Sequence, residues 1–161
     1  MPMLHAPAAY QPLQQARFDA LAPRLQAWLP QARIEHIGAS SISGACSKGD
    51  LDVLVAVDGA QLEAARAVLV AQGYVEKLDT LRTPELCMLE SAVDQPEHAL
   101  QLVARGSGFE RNFLGFRDRL RAAPERVAAY NALKQAHAGQ SDAEYRAAKS
   151  RFIESVLEAM T

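Results

Sequence analysis

Long apolar runs are missing from this 161-residue chain. Nothing approaches the roughly 18 residues that a membrane-crossing helix needs. The opening Met1-Pro2-Met3-Leu4-His5-Ala6-Pro7 lacks the basic-then-apolar layout of a signal peptide. The expectation is a cytoplasmic protein with no membrane partner. Cysteine is scarce, with Cys46 and Cys87 alone. They lack the Cys-x-x-Cys spacing of a metal or redox motif and read as reduced small hydrophobes. An excess of basic charge is also lacking: 17 Lys+Arg stand against 19 Asp+Glu, a net charge of −2. Gripping a polynucleotide backbone calls for a basic surface, so nucleic acid is not an expected partner. Core material is present in ordinary measure. Apolar residues make up 49% of the chain, enough to pack one domain.

The chemistry is concentrated between Ile34 and Val57. Ile34-Glu35-His36-Ile37 alternates apolar and polar residues as a strand does. Gly38 breaks it, and a Ser- and Gly-rich loop follows. Asp50-Leu51-Asp52-Val53-Leu54-Val55 reads as a second, largely buried strand. Side chains two apart on a strand share a face, about 6.6 Å apart at the backbone, which sets Asp50 and Asp52 side by side. Two such carboxylates repel unless a cation sits between them. A hard ion such as Mg²⁺ prefers carboxylate and phosphate oxygens. Two of them roughly 3.5–4 Å apart serve phosphoryl and nucleotidyl transfer. The loop supplies the other half of a phosphate site, through N–H groups after Gly38 and the hydroxyls of Ser40 and Ser41. A plain capping serine is the alternative at that turn. Lys48 either reaches a phosphate or is a solvated loop lysine. His36 reads as a hydrogen-bonding residue at the strand edge that could orient the loop.

Elsewhere the pattern alternates helices and strands. Residues up to about Gln11 read as a poorly ordered lead. Pro12 suits the first turn of a helix carrying Phe18, Leu21, Leu25 and Trp28, which Pro23 should kink or split. Trp28 reads as a core anchor. Gln61 to Gln72 is an amphipathic helix ended by Gly73. Tyr74–Lys77, Leu86–Glu90 and Ala99–Val103 are expected strands, the last two an antiparallel pair. From Phe109 the chain is helical. Phe109, Phe113, Phe116 and Leu120 share one face, and Pro124 starts a second helix that ends near Gly139. Ser141-Asp142-Ala143-Glu144 forms a capping box before the last helix. Glu90 is either a stand-in third carboxylate or a solvent-facing residue. His98 and His137 lack a partner at metal-ligand spacing and read as surface groups.

Gly38-Ala39 followed by Asp50-Leu51-Asp52-Val53 resembles the signature of DNA polymerase β-like nucleotidyltransferases. A narrower resemblance, to the GrpB-like family of that superfamily, covers roughly Arg33 to Ile153. It rests on His36-Ile37-Gly38-Ala39-Ser40-Ser41-Ile42-Ser43-Gly44 with Lys48 and Asp52, on Phe116-Arg117-Asp118-Arg119-Leu120-Arg121 with Pro124, on Tyr130-Asn131-Ala132-Leu133-Lys134, and on Tyr145-Arg146-Ala147-Ala148-Lys149 with Phe152-Ile153. The blocks fall in the family's order. Departures are Ala39 where the family usually has Ser, Ser43 where it usually has Pro, and Asp50 where many members are apolar. Gln101 stands in the stretch where the family carries a His-x-His pair, so no third carboxylate or imidazole ligand is supplied there.

The resemblance implies an α+β fold: a nucleotidyltransferase-like mixed sheet of about five strands flanked by helices, with a C-terminal helical extension. Residues 1–161 would form a single domain, with the N-terminal helix and sheet core at about 12–105 and the extension at about 108–160. It further implies a metal-dependent transfer of a nucleotidyl group from a nucleoside triphosphate to an unknown acceptor. Asp50 and Asp52 would hold Mg²⁺. Gly38, Ser40, Ser41 and Lys48 would meet the phosphates, and some of Arg117, Arg121, Lys134 and Lys149, with Arg117 and Lys149 the preferred pair, would grip the triphosphate unless they form ordinary intrahelical pairs. Tyr145 either stacks on a base or packs in the core. A non-catalytic nucleotide- or partner-binding module on the same fold is the alternative.

Overall fold

A computed structural model describes residues 4–137 and 141–158, with Asp142 described by its backbone alone. The expected helix end at Gly139 therefore lies outside the described residues. Five strands form one mixed sheet: β1 (Arg33–Ile37), β2 (Asp52–Val57), β3 (Val75–Glu76), β4 (Leu86–Glu90) and β5 (Ala99–Ala104). Their order is β1-β2-β5-β4-β3, with β2 and β5 parallel and every other neighbour antiparallel. β2 and β5 occupy the centre, covered on both faces, which is why they read as continuous apolar runs rather than alternating ones.

Helices α1 (Pro7–Trp28) and α2 (Leu62–Ala71) cover one face. Leu21 and Leu25 of α1, with Leu62 and Leu69 of α2, pack on Val53, Val55, Leu100 and Leu102. Trp28 lies partly buried against this cluster, as its helical spacing predicts. On the other face Leu114, Phe109 and Phe113 of α3 (Gly108–Arg121) meet Ile37, Leu54, Ala56 and Val103. A third cluster joins the loop residues Ile42 and Ala45 to Leu120, to Val127 and Tyr130 of α4 (Pro124–Ala136), and to Val156 of α5 (Asp142–Glu158). That third cluster packs the C-terminal helices against the loop after β1.

Two expectations at the N-terminus are corrected. The helix begins at Pro7, not Pro12, and continues through Pro23 as a single 22-residue element. Both internal prolines sit on its exposed side, about three turns apart. The carbonyls each leaves without a helical partner, on Ala8 and Asp19, belong to exposed residues that water can satisfy. The expected ends of α2, α3 and α5 agree well. Gly73 adopts φ 101° and Tyr74 N–H returns to Leu69 O at 3.1 Å. Ser107 Oγ caps α3 by accepting from Glu110 N–H at 3.3 Å. Ser141 Oγ accepts from Glu144 N–H at 3.2 Å.

Candidate functional site

Strand β1 ends at Ile37, which pairs with Asp52 across the ladder. Gly38 then turns the chain at φ 74° into a short 3₁₀ turn, Ala39–Ser41. The turn brings backbone against the Asp52 carboxyl so closely that a Cβ on residue 38 would lie 2.6 Å from Asp52 Oδ2. Both the left-handed φ and that approach require glycine. Pairing thus fixes Asp52 at the start of a central strand, beside the Gly38 turn.

Asp50 needs a correction. β2 begins at Asp52, so the two acids do not share a strand face by alternation. Gly49, at φ 100°, bends the chain just before Asp50. Asp50 is about half exposed, with Oδ2 3.6 Å from Lys48 Nζ. Its charge nevertheless reaches the site. The Asp52 carboxyl titrates high, at about 6, first because it is desolvated and then because Asp50 repels its charge. Lys149, Lys48 and Lys134 oppose that rise. The structure therefore brings together Gly38, Asp50, Asp52, Lys48, Lys134 and Lys149.

Lys134, one of the four helical cations considered for the triphosphate, is the buried one that reaches the loop. It is 4% exposed, donates from Nζ to Cys46 O at 2.6 Å, and lies 4.0 Å from the Tyr130 ring centroid. Burial, then the positive charge of Lys149, brings its ammonium down to about 8, against the pull of Cys46, Asp50 and Asp52. Its signal was present in Tyr130-Asn131-Ala132-Leu133-Lys134, where Tyr130 and Lys134 stand one turn apart on α4. Asn131 works on the same loop, accepting from Cys46 N–H and donating to Gly44 O, both at 2.8 Å. Tyr145 is half-buried near Lys149 and Tyr130, and burial raises its phenol pKa despite the Lys149 charge.

Other expected phosphate ligands turn inward. Ser41 Oγ donates to Gly38 O at 2.6 Å, and Ser40 Oγ lies 2.8 Å from His36 Nε2. Arg117 is 7% exposed. It donates from Nη1 to Glu35 Oε2 and His36 O, each at 3.0 Å, and from Nε to Asp118 Oδ1 at 2.9 Å. Arg121 donates to Ser41 O at 2.8 Å. Gln11 of α1 donates to Ile42 O at 2.7 Å, and Tyr10 O–H to Ala45 O at 2.8 Å. The loop is thus held from three sides by α1, α3 and α4, and these donors satisfy carbonyls that a loop would otherwise leave buried and unpaired.

Among the described residues no group of three or more His, Cys, Asp or Glu side chains is placed to hold a metal ion. Glu90 does not supply the third carboxylate. Its register partner Ala99 stands between it and Asp52, and its own carboxylate is 3.7 Å from Lys77 Nζ. Gln101 shares Asp52's sheet face by register, is 6% exposed, and its Oε1 has no hydrogen-bond partner. The oxygen donors present are of the kind that a hard cation takes. A desolvated Asp52 carboxylate with a second acid beside it is what a hard cation relieves, and an orphaned amide oxygen stands on the same sheet face as Asp52. They do not furnish a second, separately ligated ion. His98 corrects another expectation: it is half-buried, with Nε2 2.6 Å from Tyr74 O–H and Nδ1 2.8 Å from Pro96 O.

A mixed five-stranded sheet flanked by helices, with an acidic residue opening β2 against a glycine turn, is the expected nucleotidyltransferase-like fold. The chain belongs to the GrpB protein family, whose profile matches residues 8–159. A UPF0157 protein of Vibrio cholerae is 57% identical over 133 residues, 83% of this chain and 70% of that protein. One of Deinococcus radiodurans is 38% identical over 146 residues, 89% of this chain and 75% of its own. The crystal structure of the conserved protein GrpB from Enterococcus faecalis superposes with a TM-score of 0.75 at 23% identity, covering 98% of this chain and 99% of that one. A structure of Cid1, described by its RNA terminal uridylyl transferase activity, gives a TM-score of 0.52 at 14% identity and covers 76% of this chain but 37% of its own. At those identities the last two show the fold alone. No helix among the described residues is long and apolar enough to cross a membrane.

Proposed function

We propose that the protein is a metal-dependent nucleotidyltransferase acting on a nucleoside triphosphate, with a small-molecule or protein hydroxyl as acceptor. The observation that supports it most is the Asp52 carboxyl seated against Gly38, in the field of Asp50 and three lysines. Asp50 and Asp52 would hold a single Mg²⁺, which supplies charge neutralisation on the phosphate oxygens when bound. Lys48, Lys134 and Lys149 offer positive charge on the same side for the triphosphate, and Lys149 is suited to the departing pyrophosphate. The backbone after Gly38 lines the phosphate position. Arg117 and Arg121 act through the loop, tying β1 and Ser41 O to α3. Catalysis of this kind rests on positioning and on fixed charge more than on proton transfer.

One observation favours a second reading, a nucleotide-binding module without turnover. Gln101 stands on the Asp52 face as a neutral amide, so the site carries two carboxylates beside three lysines. Thermal shift and transfer assays with ATP, GTP, CTP and UTP, each with Mg²⁺, separate the two. The enzyme reading expects a shift with one or more nucleotides and a labelled product, both lost in Asp52→Asn. A nucleotide shift that persists without Mg²⁺, with no product from any acceptor, selects the module. No shift with any nucleotide contradicts both.

A further inference from the structure

Helix α1 and the Gly38 turn enclose a second constellation, on the face of the sheet away from Asp52. His36 pairs with Val53, so its side chain projects on the α1 side, opposite Asp52. There its ring stacks on Phe18, with centroids 5.0 Å apart and planes at 13°. Both ring nitrogens are engaged, Nδ1 with Gln15 Oε1 at 3.2 Å and Nε2 with Ser40 Oγ at 2.8 Å.

One further contact fixes the direction of the protons. Gln15 Nε2 donates to Asp19 Oδ1 at 2.9 Å, one turn along α1. That turns the amide oxygen toward the ring, and an amide oxygen can only accept, so Nδ1 carries the hydrogen. A neutral imidazole then has its lone pair at Nε2, and the Ser40 hydroxyl is the donor to it. Burial, followed by the charges of Arg121 and Arg117, keeps the ring neutral, its pKa brought down to about 4 against the pull of Asp19. A base aimed at a serine hydroxyl, with its far nitrogen held by an orienting group, is the arrangement that activates serine nucleophiles.

Ser40 also lines an open cleft of about 340 Å³ between the first half of α1 and the turn. Pro7, Ala8 and Pro12 form its apolar wall, and Gln11, Ser41 and Ser43 its polar one. No ionisable side chain lines it, which suits an uncharged ligand. We propose that Ser40 is a nucleophile that accepts the acyl group of small uncharged esters, with His36 as its base and Gln15 with Asp19 as the orienting pair. Oγ attacks the carbonyl carbon while its proton passes to His36 Nε2. The ester C–O bond breaks, and the alkoxide leaves with that proton. Water then attacks the acyl-serine, gives a proton to Nε2, and Oγ recovers it. One ester and one water yield one acid and one alcohol. Nothing in this chemistry rests on nucleotidyl transfer.

The test uses the whole chain with p-nitrophenyl acetate, following p-nitrophenolate release and mapping the acetyl group by mass spectrometry. Wild type is expected to release nitrophenolate in a burst and carry one acetyl group on Ser40. Ser40→Ala abolishes both, and His36→Gln slows the burst by on the order of 100-fold. Gln15 is exposed on α1, so Gln15→Ala leaves the fold intact by circular dichroism and slows acetylation several-fold. Acetylation no faster than that of a free serine peptide, an acetyl group mapped elsewhere, or a Gln15→Ala rate equal to wild type would each overturn the proposal.

Discussion

Gly38 and Asp52 are fitted to one another: the glycine's missing Cβ is the space that Asp52 Oδ2 occupies, 2.6 Å from where that carbon would be. The φ of 74° at Gly38 adds a second cost to any side chain there. Gly38→Ala is expected to lose about 1–3 kcal/mol of stability in urea unfolding. It also displaces the carboxyl, so any nucleotide-induced thermal shift disappears with it. A variant of wild-type stability that still binds nucleotide would show that the apposition has no role.

Asp52 carries a stability cost that pH reveals. Its carboxyl titrates near 3.8 when unfolded and near 6 when folded. Between those values the folded chain binds more protons, so this group's contribution is greatest at low pH and is lost as pH rises through about 6. Asp52→Asn removes the ionisation. At pH 8 the variant should be more stable than wild type by about 1–2 kcal/mol, the neighbouring lysines and partial exposure reducing the full linkage value. Chemical denaturation at several pH values checks this, and an equally or less stable variant at pH 8 counts against it.

His36 works in the opposite sense. Its imidazole titrates near 6.5 unfolded and near 4 in the fold. Stability from this group is therefore complete above about 6.5 and lost as pH falls toward 4. In the Asp52→Asn background the His36 contribution is no longer masked by Asp52's opposite slope. NMR titration of the imidazole should show a ring still neutral at pH 5.5. A midpoint near 6.5 would mean that the ring is hydrated and the bonds to Gln15 and Ser40 are not maintained.

Arg117 joins α3 to β1 by side-chain bonds to Glu35 and His36 O. Replacing it with Met takes the donor from Glu35 Oε2, Asp118 Oδ1 and His36 O, while Arg33 still donates to Glu35 Oε1. The expected loss is about 2–3 kcal/mol by denaturation, moderated because Glu35 is partly exposed. Arg117→Lys recovers less than half, since one ammonium cannot reproduce the planar fork. A loss below about 0.5 kcal/mol, with nucleotide binding reduced, would return Arg117 to the role of a phosphate ligand.

These residues also show where sequence reading succeeds and where it stops. β4 was legible to the residue because Leu86–Glu90 is bounded by turn residues and its pattern is local. β2 was misplaced by two residues at its start, because the ladder begins where Ile37 pairs with Asp52, a contact that no local pattern encodes. Gly38 and Asp52 could be nominated from spacing, but Ser40 was assigned to phosphate when its hydroxyl faces His36. The deciding partners, Gln15 and Asp19, lie on the helix expected after Pro12, and their approach to His36 is a tertiary contact that no local pattern encodes. Lys134 was legible as one of four candidate cations on the C-terminal helices, but not as the buried one. Its place depends on how α4 packs against Cys46, which is tertiary information.

On the proposed function, Asp50 and Asp52 hold a divalent cation beside a nucleotide's phosphates. Electron paramagnetic resonance titration of Mn²⁺, with and without ATP, measures that directly on wild type and Asp52→Asn. One Mn²⁺ per wild-type chain is expected, bound more tightly with ATP present, with an affinity reduced roughly tenfold or more in the variant. Equal Mn²⁺ affinity in the two proteins, unaffected by ATP, would contradict it.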